Sequence, residues 1–362
     1  MLPFCGSFFM LILCISYCRS AFSNLLVGNT HFGYILVIFV TMNVFYDIEA
    51  LPVFKNAVVT IGTFDGVHLG HRKIIEQLKT EAEERNGETV IITFYPHPRN
   101  FLQHHIAVPV ITTLQEKIKL LENAGIDHLI VVDFNEKFAG QTAWEYVKDF
   151  LFEKIHPSCI IIGYDHRFGK GRQGNYLMLQ EAGRELGFDV MEINAEVVHH
   201  VTVSSTKIRN AVLCGDIAIA NELLGYPYFF EGKVVKGNQL GRTIGYPTAN
   251  LSIENPEKLI PSNGVYAVRA SVHSADGSMK FSSCTGMMNI GVRPTVDGIN
   301  RIIEVNIFDF DENIYGSTVH VEVISFIRHE QKFSGLEALK EQLAADKQIS
   351  QKIFNHRSAA SS

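Results

Sequence analysis

Between Ala57 and Glu192 short β-branched runs alternate with stretches whose apolar residues return at helical spacing. Ala57–Ile61, Thr89–Phe94, His128–Phe134, Cys159–Gly163 and Phe188–Ile193 have strand length, while Arg72–Arg85, Leu114–Asn123, Thr142–Glu153 and Tyr176–Leu186 have helical periodicity. Such alternation predicts an α/β domain, a parallel sheet with helices on both faces, and ligands in such sheets gather beyond the carboxyl ends of the strands. Two more helical stretches, Thr206–Cys214 and Ile217–Leu224, lead to Gly225-Tyr-Pro, where the pattern changes. Strand-like runs then follow one another over Phe229–Val235, Gly264–Val272, Lys280–Ile290, Arg301–Phe310 and Thr318–Phe326, with Asp276-Gly277 as a hairpin turn. Five or six antiparallel strands without helices between them predict a small barrel, and the amphipathic run Leu336–Leu343 predicts a closing helix.

A chain of 362 residues suits two such domains. The boundaries read as a leader over 1–41, a first domain over 42–225, a second over 226–350 and a tail over 351–362. With 46% hydrophobic and 19% charged residues the chain reads as globular, and a net charge of −6 argues against wrapping nucleic acid. Anion binding must then be local. Three of six cysteines (Cys5, Cys14, Cys18) fall in the leader; Cys159, Cys214 and Cys284 are scattered, with no Cys-x-x-Cys spacing. That pattern points to free thiols in a reducing compartment, the cytoplasm. The leader contains Arg19 as its only Lys or Arg and two apolar runs, Phe8–Cys18 and Tyr34–Val40, each short for a membrane span. A signal or anchor and a start at Met42 are the two readings of it; no membrane partner is expected.

The first constellation is Gly62-Thr-Phe-Asp-Gly-Val-His-Leu-Gly-His71, which leaves the first strand and enters the helix expected near Arg72. Unpaired N–H groups at a helix start favour a phosphate there, and Gly66 and Gly70 let backbone come close. His68 and His71 stand one turn apart, suited to donate hydrogen bonds to oxygens that gain charge in phosphoryl or nucleotidyl transfer. A metal pair and ordinary surface histidines are the alternatives. Further candidates are Asp165, Arg167 and Asn175, in a loop past a buried strand, and Ser204-Ser-Thr-Lys-Ile-Arg209, which is otherwise a helix cap.

With Gly62–His71, Phe94-Tyr-Pro-His-Pro98, Gly163–Gly169, Gly174-Asn175 and Ser204–Arg209, the first domain resembles the HxGH nucleotidyltransferases, and within them the adenylyltransferase half of the prokaryotic bifunctional riboflavin kinase/FAD synthetases. The resemblance implies a Rossmann-like fold. It implies that Gly62, Phe64, Asp65, Gly66 and Gly70 border the nucleotide, and that Ser204, Ser205, Thr206 and Arg209 grip ATP phosphates. His166 stands where that family usually has an aromatic residue.

The second constellation, Gly237-Asn-Gln-Leu-Gly-Arg-Thr-Ile-Gly-Tyr-Pro-Thr-Ala-Asn250, spaces Gly237, Gly241 and Gly245 by four and adds Arg242, Pro247, Thr248 and Asn250. Glycine loops expose N–H groups to anions, and the neutral oxygens of Thr248 and Asn250 suit a Mg2+ that keeps water and phosphate ligands. Glu304 interrupts an apolar strand, with Asn306 two residues on; an outward-facing carboxylate on a half-exposed strand is the plainer reading. The stretch resembles the riboflavin kinase loop for ATP and Mg2+, which makes Glu304 the expected base for the ribityl 5′-hydroxyl and Asn306 a flavin or hydroxyl contact. Together the resemblances imply riboflavin phosphorylation to FMN, then adenylylation to FAD, with riboflavin, FMN and ATP as small-molecule partners. Rival readings keep one half active, or keep flavin binding without turnover.

Overall fold

The computed structural model describes residues 41–102, 108–163, 166–193, 203–237, 240–295 and 298–360. The first lobe is a parallel sheet of β1 (Asn43–Phe45), β2 (Val58–Ile61), β3 (Thr89–Tyr95), β4 (His128–Asp133), β5 (Cys159–Ile162) and β6 (Asp189–Glu192), in the order β1-β4-β3-β2-β5-β6. Its middle strands are mostly apolar because both faces are covered, with Thr60 on β2 and Thr93 on β3 as buried polar exceptions. Val58, Ile91, Leu129 and Ile161 pack under α1 (Leu69–Glu84) and α2 (Leu114–Asn123). Val59, Ile92, Ile130 and Ile160 meet the other face, where the π-helical α3 (Tyr146–Ile155) and α4 (Tyr176–Leu186) lie. The layered sheet read from the periodicity is therefore what forms, and β1 adds an edge strand to it.

Helices α5 (Ser205–Cys214) and α6 (Ile217–Leu224) lead to six antiparallel strands: β7 (Tyr228–Val235), β8 (Ala249–Ser252), β9 (Gly264–His273), β10 (Met279–Thr295), β11 (Gly298–Ile307) and β12 (Thr318–Arg328). They close as a barrel in the order β10-β11-β8-β7-β12-β9. The short β8, unmarked by any run of apolar residues, completes the ring. Helix α7 (Leu336–Ala360) continues well past Leu343. A tertiary contact sustains it: Asp346, fully buried, accepts two bonds from Arg328 Nε and one from Nη2, and Phe354 packs on Ala267 and Ile324.

The lobes share one apolar cluster, in which Ile111 of the first lobe joins Ile208, Val212, Tyr228 and Leu259. Beside it the backbones of Val110 and Lys258 pair: Val110 N–H donates to Glu257 O at 2.8 Å and Leu259 N–H to Val110 O at 2.9 Å. The buried ammonium of Lys258 donates to Glu116 Oε2 at 2.6 Å and Ile111 O at 2.7 Å, under the ring faces of Tyr228 and Phe229. Breaking such a pair on one side leaves an uncompensated charge, which costs about 3–5 kcal/mol. Lys258→Met is expected to lower unfolding free energy by about 3 kcal/mol. Lys258→Met with Glu116→Gln, whose amide still accepts from Thr113 N–H in the helix cap, is expected to recover more than half of that in urea denaturation.

Candidate active sites

The turn after β2 carries backbone strain in its sequence. Phe64 (φ +47°), Gly66 (φ +85°) and Val67 (φ +35°) all take left-handed backbone, which for a β-branched residue such as Val67 costs about 1–3 kcal/mol unless its surroundings enforce it. They do. Asp65 is buried, and its carboxylate accepts from Ile111 N–H at 3.1 Å, Thr112 N–H at 3.0 Å and Arg209 Nη2 at 2.6 Å. Gly66 N–H donates to Thr112 Oγ1, the Tyr226 hydroxyl donates to Gly66 O, and Ser205 Oγ donates to Asp65 O. Two of the candidate residues are thus turned to each other. The guanidinium of Arg209 is buried, engaged by Asp65 and, through Nε, by Pro109 O at 2.9 Å, rather than presented as an open fork to phosphate.

Helix α1 begins at Leu69, earlier than the expected Arg72, because His68 is its N-cap: His68 Nδ1 accepts from His71 N–H at 3.3 Å. That bond leaves Nε2 as the proton-bearing nitrogen of a neutral His68. The two imidazoles stack with centroids 3.7 Å apart and planes 12° off parallel, and His71 also meets the buried ring of Phe64 at a tilt, with centroids 4.9 Å apart. Gly62 fits close against Phe64, and Gly70 against His68: an added Cβ would stand 3.1 Å and 3.2 Å from those rings. Burial lowers the His68 pKa to about 4, and burial, then His68 and Lys117, lower that of His71 well below its usual value. Both rings are therefore neutral donors near pH 7.

The remaining first-lobe candidates have varied placements. Ser204 is the N-cap of α5, accepting from Lys207 N–H, and Thr206 beside it is exposed. Asn175 caps α4 by accepting from Met178 N–H at 3.0 Å. Arg167 lies beyond the carboxyl end of β5, with its guanidinium on His166 O, and Asp165 lies outside the described residues.

In the barrel the strand register assembles what the sequence kept apart. Glu304 on β11 stands opposite Asn250 on β8 and opposite Asn289 on β10, so a carboxylate lies between two carboxamides across three strands. All three are half-buried, while Ile303, Val305 and Ile307 point into the core. Asn306, on the Glu304 side of the pleat, is buried and donates to Pro247 O at 2.7 Å, which pins the chain just ahead of Thr248 and Asn250. The loop before them folds tightly: Leu240–Thr243 makes a helical turn, Gly245 is at φ +86°, and Tyr246 N–H donates to Gly241 O. A Cβ at Gly241 would come 2.2 Å from Tyr246 O, and one at Gly237 would come 2.2 Å from Asn250 Nδ2, so both positions need glycine for close approach. Arg242 is exposed on this loop. Two neutral oxygens beside a carboxylate form a donor set that fits Mg2+. Asn289 is not singled out by the sequence reading; its signal is a carboxamide inside the apolar run Met287–Ile290.

Comparison with known proteins matches both lobes. Residues 51–207 match the family model described as FAD synthetase, and residues 224–354 match that of riboflavin kinase. Bifunctional riboflavin kinase/FMN adenylyltransferase of Escherichia coli (strain K12) is 37% identical over 300 residues, covering 83% of this chain and 93% of that protein. Its namesake in Bacillus subtilis (strain 168) is 36% identical over 306 residues, with 83% and 93% covered. A solved structure described as a macrolide-efflux protein from Streptococcus pneumoniae has 30% identity and a TM-score of 0.75, covering 86% of this chain and 99% of that one.

The low affinity of the buried His68 for protons has a measurable consequence. Unfolded histidine titrates near 6.5, so between about 6.5 and 4 the unfolded chain binds more protons and stability falls as pH drops. The loss attributable to His68 reaches roughly 3 kcal/mol at pH 4. Urea midpoints measured from pH 7 to pH 4 are expected to fall less steeply for His68→Gln than for the wild type.

Proposed function

The chain belongs to the bifunctional riboflavin kinase/FMN adenylyltransferase family, and from that premise we propose that it makes FAD from riboflavin in two ATP-dependent steps at separate sites. The observation that carries the reading is the presence of both sites in one chain: a strained turn presenting two neutral imidazoles, and a carboxylate between two asparagines above a glycine loop. We assign residues 42–225 to adenylyl transfer and 226–350 to the kinase.

In the kinase step the ribityl 5′-hydroxyl of riboflavin attacks the γ-phosphate of ATP, its proton passes to Glu304, and ADP leaves. Asn289 and Asn250 hold the Glu304 side of the site, Asn306 supports the Pro247–Asn250 stretch, and Gly237, Gly241, Arg242 and Gly245 wrap the phosphates. Thr248 and Asn250 would hold Mg2+, which when bound supplies charge neutralisation on the phosphate oxygens. In the second step a phosphate oxygen of FMN attacks the α-phosphate of a second ATP. The bond to pyrophosphate breaks, and N–H donors of His68 and His71 stabilise the oxygens that gain charge. Asp65 and Arg209 serve by holding the turn, with Gly62, Phe64, Gly66 and Gly70 shaping it. Ser204, Ser205 and Thr206 border the nucleotide, and Arg167 the flavin side. The free thiols Cys159, Cys214 and Cys284 support a reducing compartment such as the cytoplasm.

Incubation with riboflavin and MgATP, with products separated by chromatography, is expected to yield FMN, FAD, ADP and pyrophosphate; flavin binding without turnover would sink the reading. Glu304→Gln is expected to lower FMN formation by about 10²–10⁴-fold while sparing FAD formation from supplied FMN. His71→Ala is expected to do the reverse, with a loss of about 10²–10³-fold. Equal loss of both activities in either variant would contradict the division of labour.

A further inference from the structure

Two lysine ammonium groups are buried in this molecule to nearly the same depth, Lys258 at 5% exposure and Lys117 at 6%. Their surroundings differ. Lys258 has a carboxylate, a carbonyl and two aromatic faces, a set that compensates its lost hydration. Lys117 donates to one neutral acceptor, Thr93 Oγ1, at 3.2 Å, and among the described residues no carboxylate lies within ion-pair distance of it. Asp65 is the nearby acid, but both its oxygens are engaged by Ile111 N–H, Thr112 N–H and Arg209. An ammonium carries three donors, so this one is under-satisfied where water is scarce, which is costly unless something anionic completes it.

The place where Lys117 stands indicates what completes it. The hydroxyl of Thr93, on β3, itself donates to Thr63 O at 3.1 Å, inside the turn that carries the histidines. The lysine thus sits beneath the carboxyl ends of β2 and β3, where this class of sheet binds ligands. It lines a cavity of ≈ 20 Å³ with Asp65, Tyr95, His97, Thr112 and Glu257, room for one oxygen-sized group. His71 Nδ1 is also buried and without a hydrogen-bond partner, in the electrostatic reach of the same lysine.

We propose that Lys117 is a further anion-binding residue of the adenylyltransferase site, its ammonium donating to a phosphate oxygen of the reacting substrates. This rests on the second step of the function proposed above. The charged and titratable groups facing it are Asp65 and His71 from the turn, Tyr95 and His97 at and after the end of β3, and Glu257 from the barrel. Burial lowers the Lys117 pKa to about 8, so the free enzyme holds it as a cation in neutral solution and loses that charge in mild alkali.

The test uses the full chain, with Lys117→Met, which keeps the stem and removes the charge, and Lys117→Arg, which keeps the charge. Lys117→Met is expected to lower kcat/KM for FAD formation from FMN and MgATP by about 100-fold or more, a loss typical of one transition-state donor. FMN formation in the same preparation is expected to stay within about twofold, with a melting temperature no lower than wild type, since an uncompensated ammonium has been replaced by an apolar stem. The alkaline limb of kcat/KM near pH 8 is expected in the wild type and absent in Lys117→Arg, a change that a merely structural role would not produce. Separate titrations with FMN and with ATP identify the contact: weaker FMN binding alone points to the flavin phosphate, weaker ATP binding alone to the triphosphate. Lys117→Met forming FAD within about threefold of wild type would overturn the proposal, as would a melting temperature that falls along with both activities. A wild-type protein that forms no FAD would sink the two-step reading by itself. Binding of inorganic pyrophosphate to wild type and Lys117→Met would then decide the lysine, equal affinities overturning it.

Discussion

One buried carboxylate organises the first lobe. Asp65 receives two backbone N–H groups from residues 111 and 112 and a charged bond from Arg209, which lie 46, 47 and 144 positions away in sequence. Charge-assisted bonds of this kind are directional, and they hold Phe64 and Val67 in left-handed backbone that neither favours alone, with Gly66, which takes it freely, between them. The stacked pair His68 and His71 follows directly from that turn, because the first histidine caps the helix that bears the second. Strain at the turn and saturation of Asp65 are two descriptions of one constraint.

The same constraint reaches the barrel. Residues 110–112, which hold Asp65 on one side, pair with Lys258 and its neighbours on the other. The barrel segment Asn255–Leu259 therefore acts as a strut behind the first site, and the shared apolar cluster around Ile111 and Tyr228 makes that strut stiff. Substitutions at Lys258 are in this sense changes to both lobes, although the two candidate sites are built from different elements.

The sites also use different electrostatics. In the proposed reading the first sets neutral imidazoles and a helix start against phosphate, with burial keeping the rings uncharged near neutral pH. The second sets a half-buried carboxylate in a row of carboxamides on a barrel strand, where a proton can be accepted and a hard cation held. An overall charge of −6 is no obstacle to either, since each proposed phosphate site is shaped by groups within a few ångströms.

Much of this was legible from the chain alone. Apolar period separated the layered sheet from the barrel because burial on two faces and burial on one face leave different patterns in sequence. The spacing of His68 and His71, and of Thr248 and Asn250, makes both pairs candidates from sequence because those pairs are local, set by a helical turn and a strand pleat. Tertiary structure alone decided that Arg209 answers Asp65, that Asn289 flanks Glu304, and that Lys117 is buried with a single hydroxyl while Lys258 is fully compensated. Those facts depend on strand register and on contacts between distant segments. A side chain's type is written in the sequence, but its dielectric surroundings and its partners exist only once the segments meet.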